Sequence, residues 1–401
     1  MAKSTYSNAQ QIDFFHSDNS HLKAVFALNI NKKKKISSEK KATSQSSFLE
    51  FFAGSGLVAE SFKGIFTPIW ANDICPKKKA VYVANHGSDH FHLASITEVK
   101  GANLPTAALA WASFPCQDLS LAGLAQGIHG LRSGLVWEWL RVMDEMPQRP
   151  PLLVAENVIG LLSASAGEHY RQLHTALAKR GYQVGAMVID AIRWLPHSRP
   201  RVLVVAVESN LAIPKELTSF TPNWLHPESV RKAAVGLDNW IWWAMPEPPP
   251  RQLTLTDIIE WNAPFADPET EARNLRLISP KSLNLLRHTP KNKKLVAPGY
   301  KRTRAGKQVL ELRFDDVAGC LRTPQGGSSR QTLVIHHHGE LHSRLLTVRE
   351  TARLMGAPDT YQIPGTYNEG YKAMGDGVAT PVARWLAVKL LSPLLETYHA
   401  S

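Results

Sequence analysis

Cysteine is scarce in this chain, and its scarcity argues against two classes of protein. Only 3 cysteines occur among 401 residues, and Cys75, Cys116 and Cys320 lie far apart. An odd number without a Cys-x-x-Cys pair suits neither a disulfide framework nor a zinc site with regularly spaced ligands. We therefore expect a protein of a reducing cytoplasm that holds no metal.

Long uncharged apolar runs are missing as well. We expect no segment to span a membrane, and the first residues lack the apolar core of a secretory signal. Residues 1–46 are polar and rich in lysine, which predicts a basic, mobile N-terminal arm. The run His336-His337-His338 has no second cluster at metal-ligand spacing, so we interpret it as an exposed loop. We expect a cytoplasmic, nucleoid-associated protein.

Acidic residues are missing from one long segment, which runs from Lys281 to Lys307 and is strongly basic. The whole chain has 46 Lys and Arg against 34 Asp and Glu, a formal net charge of +12. A surplus of this size favours a polyanionic partner, with nucleic acid as the first candidate. An ordinary solvated loop usually carries both signs, whereas one-sided charge suits contact with a phosphate backbone. We therefore predict nucleic-acid contacts here, with Arg302 and Arg304 among them.

Strands and helices alternate from Ser47 to about Val207, which predicts an α/β fold with a mostly parallel sheet. The predicted strands cover residues 48–52, 67–71, 107–112, 151–155, 183–190 and 202–207. The predicted helices cover residues 58–63, 76–85, 134–146 and 168–180. The alternation stops near Pro214, and helical periodicity returns after Thr347.

A glycine-containing turn, Phe52-Ala53-Gly54-Ser55-Gly56, follows the first predicted strand. The glycines let the backbone approach a nucleotide-like ligand closely, although the third glycine of the dinucleotide fingerprint is missing. Asp73 ends the second strand, where its carboxylate can accept from ribose hydroxyls, and Ile74 can lie against an adenine face. The pattern predicts an adenosine-containing cofactor without separating a nicotinamide nucleotide from S-adenosylmethionine.

Cys116 follows a buried apolar strand and Pro115, which ends that strand in a tight loop. Open α/β sheets place their chemistry at this carboxyl edge, where a thiol near a helix N-terminus can act as a nucleophile. A structural cysteine is the simpler alternative for Pro-Cys taken alone. Glu156 ends another buried strand at the same edge. Arg199 and Arg201, at i and i+2, project to one face, where they can orient Glu156 or form a plain ion pair.

These blocks, in this order, resemble those of the bacterial-type DNA (cytosine-5)-methyltransferase family. The matching blocks are Phe52-Ala53-Gly54, Asn72-Asp73, Pro115-Cys116-Gln117, Gly130-Leu131-Arg132-Ser133-Gly134-Leu135, Glu156-Asn157-Val158, Arg199-Pro200-Arg201, residues 346–356 and Gly375-Asp376-Gly377-Val378. The resemblance implies the S-adenosylmethionine-dependent methyltransferase fold, a Rossmann-like mixed, mostly parallel sheet with an inserted smaller domain that recognises the DNA target. It implies a catalytic domain over residues 47–212, a target-recognition domain with connector over 213–365, and a return to the catalytic domain over 366–401.

The family's chemistry then implies a role for each block. By resemblance, the Cys116 thiolate adds to C6 of a flipped-out cytosine, and C5 takes a methyl group from S-adenosylmethionine. Glu156 binds the N3 and N4 edge of the base, Arg201 contacts O2 and steadies Glu156, and Arg199 supports them. The residues expected at the cofactor are Phe52, Ala53, Gly54, Gly56, Asp73, Ile74, Ile96, Pro115, Leu135, Asp376 and Val378. Those expected to contact DNA are Gln117, Ser120, Arg302, Arg304, Thr323, Gly326 and Gly327.

Four positions depart from the family's usual pattern. Asp376 stands where asparagine is usual, and we hypothesise that its carboxylate repels the Cys116 thiolate and raises the pKa of that thiol. Ser95 replaces an acidic residue that contacts the adenine amino group in many members, which predicts weaker cofactor affinity. His197 replaces a glutamine and Leu57 a glycine. These departures leave a catalytically silent DNA-binding homologue as an alternative.

Two further alternatives compete with a DNA methyltransferase. A nicotinamide-dependent oxidoreductase uses the same kind of glycine turn, but it leaves the Pro-Cys-Gln block and the basic segment without a role. An RNA substrate is disfavoured because the sequence lacks the Cys-Phe-Thr tripeptide that tRNA-directed relatives carry. We therefore predict a monomeric enzyme that acts on double-stranded DNA, alone or beside a separate cognate restriction endonuclease.

Overall fold

The apolar runs predicted as strands lie side by side in one seven-stranded sheet. The computed structural model describes residues 47–115, 134–321 and 330–398, so the predicted N-terminal arm lies outside the described residues. The strands of this large sheet are β1 (Ser47–Phe51), β2 (Thr67–Asp73), β3 (Phe91–Leu93), β4 (Leu109–Ala112), β5 (Leu152–Asn157), β6 (Tyr182–Asp190) and β7 (Pro200–Glu208). Their order across the sheet is β3-β2-β1-β4-β5-β7-β6.

Burial on both faces explains why these strands are continuous apolar runs. Strands β1, β4 and β5 are buried along their whole length, as is usual for parallel strands that helices cover on both sides. Strand β7 runs antiparallel to both of its neighbours, β5 and β6. The other neighbouring pairs are parallel. The predicted α/β class with a mostly parallel sheet is confirmed.

Helices accompany this sheet close to their predicted positions. They are α1 (Leu57–Phe62), α2 (Pro76–His86), α3 (Leu135–Glu145), α4 (Gly160–Ser163) and α5 (Glu168–Ala178). Helix α2 begins at a proline and ends before Gly87, whose φ is 84°, because each residue suits its end of a helix. Phe62 of α1 packs edge-on against Trp111, with ring centroids 5.6 Å apart. The edge strand β3 is not among the predicted strands, since two of its three residues are exposed.

A short two-stranded sheet lies against the edge strand β6. Strands β8 (Thr218–Ser219) and β9 (Trp242–Trp243) flank helix α6 (Glu228–Ala234). The Trp243 indole donates to the Gly185 carbonyl of β6 at 3.3 Å. A side chain at Gly185 would meet the Ile241 carbonyl oxygen at 2.3 Å, so glycine is needed for this close approach. The tryptophan-rich stretch therefore packs on the large sheet.

The basic segment forms part of a second folded region. Its elements are α7 (Leu255–Ile258), α8 (Pro268–Arg276), α9 (Pro280–Arg287), β10 (Leu295–Arg304), β11 (Lys307–Leu312), β12 (Thr332–His337) and β13 (Glu340–Leu345). The four strands form an antiparallel second sheet in the order β11-β10-β12-β13. Its own buried cluster consists of Ile278, Leu286, Ala297, Leu310 and Val334. The interpretation of residues 336–338 as an exposed loop is wrong: His336 and His337 belong to β12, and His336 is 2% exposed.

The chain ends in helices after the second sheet. They are α10 (Val348–Leu354), α11 (Tyr367–Gly375), α12 (Thr380–Leu386), a π-helical turn (Ala387–Leu391) and α13 (Ser392–Tyr398). By length and composition alone Tyr367–Thr397 could cross a membrane, which corrects the prediction that no segment could. The helix is interrupted at residues 376–379, however, and 67% of its apolar 18-residue stretch is buried inside the protein. This is the pattern of core helices.

Candidate active site

Several predicted site residues lie outside the described residues, whereas most of the residues predicted around them are described. The cofactor turn, both arginines, Glu156 and the closing motif are described. Strand β4 and the residues up to Pro115 are also described. The predicted residues outside the described ranges are Cys116, Gln117, Ser120, Thr323, Gly326 and Gly327.

The cofactor turn begins where β1 ends at the carboxyl edge of the sheet. Phe52, Gly54 and Gly56 have φ values of 55°, 59° and 80°, a left-handed backbone that glycine adopts without strain. The Ala53 amide donates to the Asn72 carbonyl at 2.8 Å, which joins the turn to the end of β2. A side chain at Gly56 would meet the His86 ring at 2.6 Å. The turn is thus held in one shape by its hydrogen bonds and by the close packing of Gly56 against His86.

Asp73 holds two segments of this turn together. Its carboxylate accepts from the Gly54 amide at 2.9 Å and from the Cys75 amide at 2.8 Å. The next residue, Ile74, is 70% exposed although it is apolar. A fixed carboxylate at a strand end beside an exposed apolar side chain fits the ribose and adenine of an adenosine-containing cofactor. Ile96 is only 3% exposed, so it supports the site from the core and offers little surface to a ligand.

The C-terminal segment also supports the cofactor turn through Ala373 and Tyr361, two residues that are not among the predicted cofactor residues. The Ser55 hydroxyl donates to the Ala373 carbonyl of α11 at 3.0 Å. The Tyr361 hydroxyl donates to the Ser55 carbonyl. The His86 ring lies 2.9 Å from the Gly56 carbonyl, so its Nε2 carries the proton. Burial, together with the charge of Lys63, lowers the pKa of His86 to about 4, and the ring is neutral near pH 7.

Asp376 does not lie unpaired beside the cofactor turn. The Lys78 ammonium of α2 lies 2.8 Å from the Asp376 carboxylate. This cation offsets the negative charge of Asp376. The hypothesis that Asp376 repels the Cys116 thiolate therefore loses most of its support. Leu57, which stands where glycine is usual, packs over Gly377 of the same closing motif. A side chain at Gly377 would lie 2.6 Å from the Leu57 methyl carbon.

Asn157 fixes the backbone shortly before the predicted nucleophile, Cys116. The Asn157 amide donates to the Phe114 carbonyl at 2.9 Å, and Asn157 is 3% exposed. Pro115 follows as an exposed residue. Leu135, at the start of α3, is half-buried against the core. The Glu-Asn-Val block therefore has a second function besides Glu156, and the buried asparagine was the signal for it.

Glu156 and Arg201 form an ion pair at the carboxyl edge of the large sheet. Arg201 Nε lies 3.0 Å from Glu156 Oε1, and the side chains are 12% and 8% exposed. The pairing follows from the sheet, because β7 runs antiparallel to β5 and pairs Leu203 with Glu156. The Arg201 guanidinium thus fixes one oxygen of the Glu156 carboxylate.

Arg199 has different partners from Arg201. Its guanidinium donates to the carbonyls of Gly375 and Gly377 at 2.7 and 2.6 Å, and to Cys320 Sγ at 3.3 Å. Burial and the charge of Arg201 lower the pKa of Arg199 to about 10, so the group stays charged near pH 7. Arg199 therefore clamps the closing motif, while Arg201 holds the carboxylate.

His197, which stands in place of the usual glutamine, joins three parts of the chain. Its Nδ1 lies 2.8 Å from the Leu354 carbonyl, and its Nε2 accepts from the Leu321 amide at 3.3 Å. A carbonyl only accepts, so the proton resides on Nδ1. Burial, with Arg199 nearby, lowers the pKa of His197 to about 3. The histidine therefore does the work of an amide side chain, with one donor and one acceptor.

Arg302 and Arg304, which are predicted to contact DNA, lie on strand β10 of the second sheet and pair with the same carboxylate. Arg302 Nε lies 3.1 Å from Glu311 and Arg304 Nε 2.6 Å from it, across the β10–β11 hairpin. The segment is free of acidic residues in sequence, but the next strand supplies one in space. To bind a phosphate, each arginine must give up part or all of its contact with Glu311. Their contact with DNA stays a prediction.

Comparison with known structures shows the same fold. The Dnmt2 methyltransferase of S. pombe matches with a TM-score of 0.54 at 18% identity, over 87% of this chain and 98% of that one. A DNMT2 of Spodoptera frugiperda matches with a TM-score of 0.57 at 16% identity, over 88% and 99%. The predicted methyltransferase fold class is confirmed.

Sequence comparison identifies the family. The model of the C-5 cytosine-specific DNA methylases matches residues 46–392. The Type II methyltransferase M.HhaI of Haemophilus parahaemolyticus is 24% identical over 358 residues, which cover 86% of this chain and 94% of the relative. M.BsuFI of Bacillus subtilis is 23% identical over 351 residues, covering 87% and 73%. The chain belongs to the C-5 cytosine-specific DNA methylase family. Its enzyme class is DNA (cytosine-5-)-methyltransferase, as predicted, and the oxidoreductase alternative is wrong.

Proposed function

We propose that this enzyme transfers the methyl group of S-adenosylmethionine to C5 of a cytosine that has left the DNA duplex, with Cys116 as the attacking nucleophile. The bound cofactor supplies an activated methyl group. The Cys116 thiolate forms a bond to C6 of the base, which makes C5 nucleophilic. Loss of the C5 proton and release of the thiolate then restore the aromatic ring.

The buried Glu156–Arg201 ion pair is the observation that carries this proposal. One Glu156 oxygen is fixed by Arg201 at 3.0 Å, and the carboxylate can still accept from the amino group of a cytosine. A protonated N3 would donate to the same carboxylate and make the base a better electrophile at C6. Asn157 fixes the backbone shortly before Cys116 from the next position on the same strand, at 2.9 Å from the Phe114 carbonyl. Nucleophile and base-binding carboxylate are thus tied to neighbouring strands.

The cofactor turn fits the adenosine part of S-adenosylmethionine. Asp73 would accept from the ribose hydroxyls, the exposed Ile74 would contact the adenine, and the backbone of residues 52–56 would lie beside the rest. Asp376 and Val378 close the turn from the C-terminal segment. Val378 is 2% exposed, so it supports this wall from behind.

The second sheet is the proposed target-recognition domain. It has its own buried cluster, and it lies within residues 213–365, where the resemblance predicts this domain. Its basic strand β10 would face the phosphate backbone, while base contacts fix the sequence context. We propose that the protein acts as a cytoplasmic monomer on double-stranded DNA. It would serve either as the modification half of a restriction-modification pair or as a solitary methyltransferase.

Covalent trapping tests the role of Cys116. Duplex DNA that contains 5-fluorocytosine cannot lose a C5 proton, so the protein should stay bonded to it in the presence of S-adenosylmethionine. We expect a denaturation-resistant complex with the parent chain, and none with Cys116→Ala or without the methyl donor. A complex that forms equally with Cys116→Ala would overturn the assignment of the nucleophile.

Bisulfite sequencing tests the activity and the site together. DNA from cells that express the chain should carry methylated cytosines in one short context, and DNA from cells with Cys116→Ala should not. Identical unmethylated profiles for the two, from cells that contain folded protein, would favour the catalytically silent homologue.

A further inference from the structure

Two adjacent lysines in the first turn of α2 reach the two ends of α11. Lys77 pairs with Glu369 near the start of α11, and Lys78 pairs with Asp376 directly after its end. The Lys77 side chain is 66% exposed, whereas that of Lys78 is only 18% exposed. Both pairs join the same two helices. Only Lys78 is withdrawn from solvent, so its position is not explained by helix docking alone.

Lys78 lies at the cofactor turn. Its Cδ would be 4.0 Å from a side chain placed on Gly54, the glycine whose amide donates to Asp73. Burial alone would lower the pKa of Lys78, but Asp376 and Asp73 outweigh burial and hold it above its ordinary value. The group is therefore a charged ammonium that is paired with Asp376 and lies within the electrostatic influence of Asp73, beside the glycine turn.

The neighbouring acids leave this ammonium donors to spare. Asp73 already accepts two backbone amides, at 2.9 and 2.8 Å, and Asp376 accepts from Lys78 at 2.8 Å. An ammonium has three donors and no acceptor. Lys78 can therefore keep its bond to Asp376 and still donate to an anionic group of a ligand in the turn.

We propose that Lys78 binds the carboxylate at the amino-acid end of the cofactor and that Asp376 is the positioning residue that aims it. The proposal rests on the proposed function, since it takes S-adenosylmethionine as the cofactor. That molecule ends in an ammonium and a carboxylate, and a partly buried cation is the natural partner of the carboxylate. Two other cations close to Asp376 and α11 already have partners among the described residues: Arg199 donates to two carbonyls, and Lys77 pairs with Glu369.

The departure at 376 then has a physical reason. A lysine with four methylene groups adopts many conformations, and a charged partner restricts them. Asp376 provides that partner, and an asparagine at the same position would provide an amide oxygen with a weaker pull. We therefore expect Asp376→Asn to change cofactor affinity only slightly, whereas Asp376→Leu leaves Lys78 without its anchor.

Ligand binding without DNA tests the proposal, so the readout does not depend on catalysis. Isothermal titration of the full chain would compare S-adenosylhomocysteine with 5′-methylthioadenosine, which keeps the adenosine but lacks the amino-acid end. We expect Lys78→Met to weaken S-adenosylhomocysteine about tenfold, as for the loss of one charge-assisted hydrogen bond, and 5′-methylthioadenosine less than about twofold. Lys78→Arg should recover part of the loss.

Lys77→Met is the matched control. It removes a lysine from the same helix turn and breaks a pair to the same helix, so it should leave both affinities within about twofold. Asp376→Leu should weaken S-adenosylhomocysteine in the parent but add little in the Lys78→Met background, because the two residues act through one ammonium. A purely structural role for Asp376 would weaken both ligands in both backgrounds.

The outcomes separate this proposal from the proposed function. If the parent binds both nucleosides and Lys78→Met weakens both equally, or neither, Lys78 supports the turn and does not bind the carboxylate. If the parent binds neither S-adenosylmethionine nor S-adenosylhomocysteine, the proposed cofactor is wrong and this inference falls with it.

Discussion

Two sets of ion pairs in this protein hold their charges in different surroundings. In the large sheet, Glu156 and Arg201 pair where the side chains are 8% and 12% exposed. In the second sheet, Arg302 and Arg304 share Glu311 on a hairpin where the carboxylate side chain is 40% exposed. A buried pair has a fixed geometry and is costly to break, whereas exposed pairs contribute little and exchange partners readily. The Glu156–Arg201 pair is thus suited to chemistry, whereas Arg302 and Arg304 can exchange their shared carboxylate for another anion.

The largest expected effect is on catalysis at the buried pair. Glu156→Gln keeps the size of the side chain but removes the charge that Arg201 holds and that a protonated base needs. We expect initial rates of methyl transfer to fall by about 100- to 1,000-fold, the usual effect of losing one preorganised electrostatic contact. Transfer of a radiolabelled methyl group to duplex DNA measures it. Glu340→Gln, at an exposed site on β13, should leave the rate within about twofold; equal losses would refute the contrast between the buried and the exposed carboxylate.

The next largest effect concerns stability. Arg199→Leu would leave the buried Gly375 carbonyl and the half-buried Gly377 carbonyl without this donor. We expect the free energy of unfolding to fall by about 3 kcal/mol. Arg302→Leu, on the exposed hairpin, should cost less than about 1 kcal/mol. Urea denaturation of both variants gives the comparison, and similar losses would show that burial does not decide the value of these arginines.

Acid should destabilise the folded protein through His197. Its pKa is about 3 in the folded protein, below the ordinary value of 6.5, so the unfolded chain binds a proton more readily. This contribution is therefore complete above about pH 6.5 and is lost as the pH falls, by up to about 1.4 kcal/mol per pH unit. His197→Gln keeps a donor and an acceptor but does not titrate. Its unfolding free energy should fall less steeply than the parent's between pH 6.5 and 5, whereas exposed His288→Gln should follow the parent.

The smallest effect is expected on the second sheet. Glu311→Gln releases Arg302 and Arg304 from their shared carboxylate, so non-specific DNA binding should tighten about three- to tenfold at low salt. The slope of log K against log salt should grow by about one to two. Fluorescence anisotropy over a salt series measures both. Asp315→Asn removes one negative charge beside Arg313, and an equal effect from it would reduce the role of Glu311 to net charge.

The sequence predicts well those features that lie within one strand and the loop after it. The glycine turn, Asp73 and Glu156 all follow buried apolar runs, and the alternation of elements places them at one edge. The partners of Arg199 could not be predicted, because Gly375 lies 176 residues away in sequence and meets Arg199 only after folding. The same holds for Lys78 with Asp376. Glu311 was missed for another reason: a segment's net charge carries no information on the hairpin register that pairs it.

The close approach of Leu57 to Gly377 makes the order of sequence changes matter. A side chain at residue 377 would lie 2.6 Å from the leucine methyl carbon, and Leu57 is 2% exposed, so it has little room to turn away. An enlargement at 377 is therefore tolerated only after residue 57 has become smaller. The two positions, from opposite ends of the chain, form an epistatic pair in which one route between sequences is open and the reverse order is closed.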